Sequence, residues 1–138
     1  MEPIDSTYVL DACALIAFFR GETGGETLDN LFSEPRNRFH LHSVTLAEIY
    51  YDCLRTSDSP NANDLFEDIS GLPIKIAWNL TPELIARVGH FKTTQRVSFA
   101  DCFVLSLAEM ENATVISTDP HEFDVIEQKN VLRFFWLR

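Results

Sequence analysis

Four acidic residues stand out by position. Asp11 closes the apolar run Tyr8-Val9-Leu10, Glu48 ends Thr45-Leu46-Ala47-Glu48, Asp101 opens an apolar stretch after Ser98, and Asp119 follows Ala113 to Thr118. Brought together, such carboxylates repel and raise one another's pKa values unless a cation sits among them. Mg²⁺ and Mn²⁺ prefer oxygen ligands, and Mg²⁺ keeps several waters and completes its shell with phosphate oxygens. An ion of this kind activates water and stabilises in-line displacement at a phosphodiester. The plainer role is helix capping. Ser98 with Asp101 and Thr45 with Glu48 fit the capping-box spacing, and Asp119 before Pro120 fits an N-cap. For Asp101 alone capping is the better account; its recurrence along the chain favours a shared site.

The elements that must position these acids follow from hydrophobic patterning. Phe99 to Glu109 is apolar on nearly every face and predicts a central helix with Asp101 in its first turn. Tyr8 to Leu10 predicts a buried parallel strand and Ala12 to Phe19 the helix after it. Leu28, Leu31 and Phe32 mark a second helix, Arg38 to His42 a second strand, and Leu46, Ile49, Tyr50, Cys53 and Leu54 a third helix with Glu48 in its first turn. A loop containing Pro60 leads to a short helix with Leu65, Phe66 and Ile69 inward, then a strand from Pro73 to Trp78. Thr81-Pro82 starts a helix whose Leu84, Ile85, Val88 and Phe91 face the core. Ala113 to Ile116 and Val131 to Leu137 supply the last two strands. Strands alternating with helices predict an α/β fold with a mostly parallel sheet covered on both faces. In such a sheet, functional groups gather beyond the carboxyl ends of the strands. Asp11, Glu48 and Asp119 each follow a strand. Asp101 opens a helix preceded by another helix, so the pattern does not fix its edge.

The chain has 138 residues and reads as one domain over 1–138; its 46% hydrophobic and 23% charged content is globular, with no repeat or low-complexity tract. The net charge of −10 opposes nonspecific nucleic-acid binding through phosphate neutralisation and suits a basic partner or a bound cation. The N-terminus lacks the basic region of a signal peptide, and the longest apolar run, Ala12 to Phe19, is too short to span a bilayer, so a cytoplasmic location is expected. Cys13, Cys53 and Cys102 each fall in a predicted helix without zinc-like spacing and are expected to be reduced, packed thiols.

Taken together, Val9-Leu10-Asp11, Thr45-Leu46-Ala47-Glu48, Ser98-Phe99-Ala100-Asp101 and Ser117-Thr118-Asp119 resemble, in order and spacing over nearly the whole chain, the PIN-domain nucleases. Within that family the chain resembles the small single-domain toxins of VapBC toxin–antitoxin modules. The resemblance implies a three-layer α/β/α fold with about five strands and a metal-dependent endoribonuclease activity. It implies that Asp11, Glu48, Asp101 and Asp119 hold Mg²⁺ or Mn²⁺, that Ser117 supports them, and that a cognate antitoxin inhibits a dimerising toxin. Cys13 departs from the serine, threonine or asparagine often found two places after the first acid.

Other constellations carry less. A haloacid dehalogenase-like phosphatase needs a second aspartate where Cys13 stands, and a receiver domain needs paired acids at its first strand, whereas Glu2 and Asp5 are isolated. His40 and His42 share a strand face but lack a third zinc ligand of suitable spacing. His121 and Glu122 read as an exposed first turn, and Asp124 divides between support of the site and a solvated face. The basic residues Lys92 and Arg96, before the central helix, are candidates to meet an RNA backbone, weighed equally against a solvated loop. Leu31, Phe32, Tyr50 and Tyr51 predict an apolar surface suited to a symmetric dimer. The rival from another class is an inactive module that only binds a protein partner.

Overall fold

A computed structural model describes residues 6–56, 61–118, 120, 123, 126 and 132–138. Its elements run β1 (Ser6–Leu10), α1 (Ala12–Arg20), α2 (Gly25–Phe32), β2 (Asn37–His42), α3 (Ser43–Arg55), a 3-10 turn (Ala62–Asp64), α4 (Leu65–Ser70), β3 (Ile74–Ala77), α5 (Pro82–Thr94), α6 (Phe99–Glu111), β4 (Thr114–Ser117) and β5 (Phe134–Trp136). The five strands form one sheet in the order β3-β2-β1-β4-β5, with every pairing parallel.

Alternation along the central strands divides the core. Leu10, Leu41 and Ile116 join Ala14, Leu15, Leu28, Leu46, Ile49 and Leu65 on one face, under α1 to α4. Val9 and Val115 meet Val104, Leu107 and Ala108 of α6 on the other. Leu84, Val88 and Phe91 of α5 pack with Cys102, Phe103 and Leu105 beside them. Burial on both faces explains why β1 and β4 read as continuous apolar runs. The result is the expected α/β/α sandwich.

One glycine is fixed by a close approach. Gly24 has φ of 98°, and a Cβ there would lie 2.7 Å from Leu137 Cβ. The chain therefore brings the start of α2 onto the segment after β5, whose Leu137 N–H donates to Ser117 C=O at 2.9 Å.

Several inward assignments need correction. Phe66 and Ile85 are more than half exposed, because each lies about 100° around its helix from a neighbour, Leu65 or Leu84, that takes the buried direction. Leu31 and Phe32, assigned to a surface, pack against the core; Phe32 sets its ring edge-on to Phe18 and Phe39. Val131 of the predicted last strand lies outside the described residues. The cysteines are free thiols, Cys53 and Cys102 buried and Cys13 half-buried. Among the described residues no helix is long and apolar enough to cross a membrane.

Candidate active site at the carboxyl edge of the sheet

The strand order places the topological switch between β1 and β4, and Asp11 emerges at that point. Its N–H donates to Ile116 C=O at 3.1 Å, continuing the β1/β4 ladder one step past the strand. Its Oδ1 accepts the Ala14 N–H at 2.8 Å, so Asp11 does cap α1. Capping does not require burial, yet this carboxylate is only 1% exposed. Beside it across the ladder, Ser117 is fully buried, and its Oγ has no hydrogen-bond partner among the described residues. A buried hydroxyl left in that condition costs free energy unless a ligand or ion completes it.

Asp101 reaches the same edge from the other layer. Phe103 of α6 lies against His42, the last residue of β2, with ring centroids 5.0 Å apart. Glu111 at the far end of α6 comes within 3.8 Å of His40 and lines a cavity with Thr7 and Asn37, near the strand starts. The helix therefore runs antiparallel to the strands and begins at their carboxyl ends, which settles the edge that sequence pattern left open. Asp101 N–H donates to Ser98 Oγ at 3.1 Å, and Ser98 is the N-cap. Burial pushes the half-buried Asp101 carboxyl above its ordinary pKa, and the Ser98 hydroxyl pulls it partly back.

The second acid is placed differently from its prediction. His42, not Thr45, caps α3: its Nδ1 accepts the Val44 N–H at 3.0 Å. The helix thus starts at Ser43, Glu48 stands more than a turn inside it, and the Thr45/Glu48 capping box does not form. Thr45 is fully buried with its Oγ1 unpartnered among the described residues. Glu48, half-buried, follows it by three residues and so shares its side of the helix. Further along that side, Asp52 binds Arg20 of α1 at 2.6 Å and Arg55 at 2.9 Å.

Asp119, His121, Glu122 and Asp124 lie outside the described residues. Among the described ones, no three His, Cys, Asp or Glu side chains stand close enough together to hold a metal ion. The donors at this edge nevertheless fit a hard divalent cation: a buried carboxylate at Asp11, a desolvated one at Asp101 and the open hydroxyl of Ser117. Lys92 is exposed and donates from Nζ to Val97 C=O at 3.0 Å, bracing the loop before Ser98, while Arg96 in the same loop is exposed. His42 was the residue patterning missed as a cap; its place between a strand end and Ser43 was the available signal.

Comparison with known proteins agrees with this architecture. The PIN domain family model matches residues 8–129, and the chain belongs to that family. No curated protein matches the sequence significantly. Among solved structures, VapBC2 from Rickettsia felis, bound to a DNA fragment from its promoter, aligns at TM-score 0.70 and 18% identity, covering 94% of this chain and 97% of its own. A toxin–antitoxin complex from Klebsiella pneumoniae aligns at 0.72 and 14%, covering 95% and 98%. VapC20 from Mycobacterium tuberculosis, a Sarcin-Ricin loop cleaving toxin, aligns at 0.68 and 13%, covering 86% and 94%. At these identities the likeness is one of fold.

Proposed function

We propose that the protein is a Mg²⁺- or Mn²⁺-dependent endoribonuclease and the toxin of a toxin–antitoxin module, acting in the cytoplasm. PIN domains are generally nucleases. The observation that carries the proposal is the buried Asp11 carboxylate at the sheet's switch point, beside the unpartnered Ser117 hydroxyl and on the edge where α6 presents Asp101. The solved toxin–antitoxin structures of the same fold support an antitoxin partner.

In this proposal Asp11, Glu48, Asp101 and Asp119 hold the ion and Ser117 orients a carboxylate or a bound water. The ion, when bound, lowers the pKa of water and offsets charge on the phosphodiester. Asp101 supplies a carboxylate already desolvated by its surroundings, so binding a cation relieves a cost present in the metal-free chain. Asp11 is held by its capping bond to Ala14, which fixes its second oxygen relative to the end of β4. Arg96 and Lys92 meet the RNA backbone at the entrance beside Ser98. A basic antitoxin segment pairs with the acids and blocks the same edge.

The test is cleavage of short RNAs by the purified chain in Mn²⁺, in chelator, and as Asp101→Asn. Metal-dependent cleavage lost in the variant supports the enzyme. Absence of cleavage under every metal leaves the protein-binding module instead. Growth arrest on expression, relieved by a neighbouring gene, tests the toxin assignment.

A further inference from the structure

Helix α6 buries every residue from Cys102 to Ala108, yet Phe99, at its first position, is 60% exposed. The Phe99 ring meets Phe103 edge to face, with centroids 5.3 Å apart and planes at 84°, and Phe103 lies in turn against His42 at the end of β2. An exposed aromatic side chain at the carboxyl edge is thus braced from behind by a buried one. Bracing leaves it little rotamer freedom to lose when a ligand covers it.

Beside the ring, the loop between α5 and α6 forms a hollow of about 670 Å³ whose lining includes Lys92, Arg96 and Ser98. Arg96 is exposed, and Lys92, which gives one hydrogen to Val97 C=O, keeps others for a ligand. Asp101, two positions along α6, leaves the helix about 200° around from Phe99, so the two side chains stand on opposite sides of a cylinder about 10–12 Å across. The ring therefore lies outside the carboxylate site but within reach of a nucleotide neighbouring the cut.

The occupant that suits this combination has a flat face and an attached anion. An apolar protein segment laid on Phe99 would take water from Arg96 and Lys92 without supplying a counter-charge. A nucleotide brings its base to the ring and its phosphate to the two cations. With a chain charge of −10, phosphate contacts alone give little attraction, and base stacking adds affinity that does not depend on charge.

We propose that Phe99 is a base-stacking residue: a base flanking the scissile phosphodiester lies on its ring while the adjoining phosphate meets Arg96 and Lys92. The inference rests on the ribonuclease reading and adds a grip on the substrate that neither acids nor metal supply.

The test measures, by fluorescence anisotropy, the binding of end-labelled oligoadenylate and of the matching abasic ribose-phosphate chain to the full-length protein in chelator. Wild type is expected to bind oligoadenylate more tightly than the abasic chain. Phe99→Ala should weaken oligoadenylate binding about tenfold and leave the abasic chain unaffected. Phe99→Trp should bind at least as well as wild type, whereas Phe99→Leu, apolar but without a π face, should resemble Phe99→Ala; these two carry the comparison if the alanine variant fails to fold. Overturning results are a wild type that binds neither probe or both alike, or a Phe99→Leu that binds oligoadenylate as wild type does. A dimer that Phe99→Ala turns into a monomer would also overturn the proposal, by assigning the ring to a second copy of the chain. Because binding is read without metal or turnover, base-dependent binding with no RNA cleavage in Mn²⁺ refutes the nuclease and leaves the stacking contact standing. Cleavage with binding indifferent to Phe99 refutes the stacking contact alone.

Discussion

Asp52 Oδ2 lies 2.6 Å from Arg20 Nη2, joining α3 to the last turn of α1. Asp52 is buried, Arg20 is mostly covered, and Arg20 also donates to Thr56 at 3.1 Å. Because α1 begins at Asp11 and Glu48 precedes Asp52 by about one turn of α3, this pair holds two candidate ligands in a fixed relation. Removing one partner of such a pair strands the other, so Asp52→Ala is expected to cost about 3 kcal/mol. Arg55→Ala, on the exposed side of the same carboxylate, should cost under about 1 kcal/mol. Urea denaturation of the two variants measures the contrast.

What could be read from sequence follows the same physics. The runs at β1 and β4 and the nearly all-apolar α6 were legible because burial on both sides leaves no polar face to confuse the pattern. Asp11 was legible as an acid at a strand end. The start of α3 was not, since Ser43 and Thr45 are both acceptable caps and only the three-dimensional path shows His42 taking that role. Phe66 and Ile85 were misplaced because each adjoins another apolar residue in a helix that buries only one of the two. The edge occupied by Asp101 depends on the reversal between α5 and α6, a tertiary fact.

His40 and His42 make stability depend on pH. Burial is the main cause lowering both below the ordinary 6.5; Glu111 partly opposes it at His40, where Lys75 and Arg38 lower the value further, and the Asn79 backbone opposes it at His42. The unfolded chain then binds protons that the folded chain refuses, so stability falls as pH drops through 6.5 toward the folded values and is regained as pH rises. Protonation of His42 also turns Nδ1 into a donor and breaks its bond to Val44. The slope is at most about 1.4 kcal/mol per pH unit for each histidine. Thermal melts between about pH 5 and 7 should show it, and His42→Asn, which keeps a capping acceptor, should reduce it.

Self-association is expected to use α3 rather than α2. Tyr51 and Leu54 are 64% and 67% exposed and three residues apart, hence on one side of the helix, whereas Leu31 and Phe32 are committed to the core. A symmetric dimer would cover this apolar side. Light scattering at tens of micromolar protein should give twice the chain mass of 15.8 kDa, and the double substitution Tyr51→Lys, Leu54→Lys should give the monomer. A wild-type monomer refutes the dimer without touching the catalytic proposal.

Capping and metal binding make opposite predictions at Asp101. Asp101 sits in the first turn of α6, where a carboxylate favours the helix dipole, so a purely structural role makes Asp101→Asn less stable by a few tenths up to about 1 kcal/mol, with or without metal. In a shared site the result reverses. Burial already raises the Asp101 pKa, so in chelator at neutral pH the ionised carboxyl destabilises the fold and Asp101→Asn should melt above wild type. That advantage should shrink as pH falls toward the ordinary 3.8, because the wild-type carboxyl then takes up the proton its folded state prefers. Saturating Mn²⁺ should restore wild type to the higher melting temperature, since a ligand at a hundred times its Kd adds about 2.7 kcal/mol to a fold that binds it. Melts of wild type and Asp101→Asn in chelator and in Mn²⁺ decide the matter. A wild type indifferent to both additions, with the variant less stable in each, would leave Asp101 a capping residue and remove the metal from this edge.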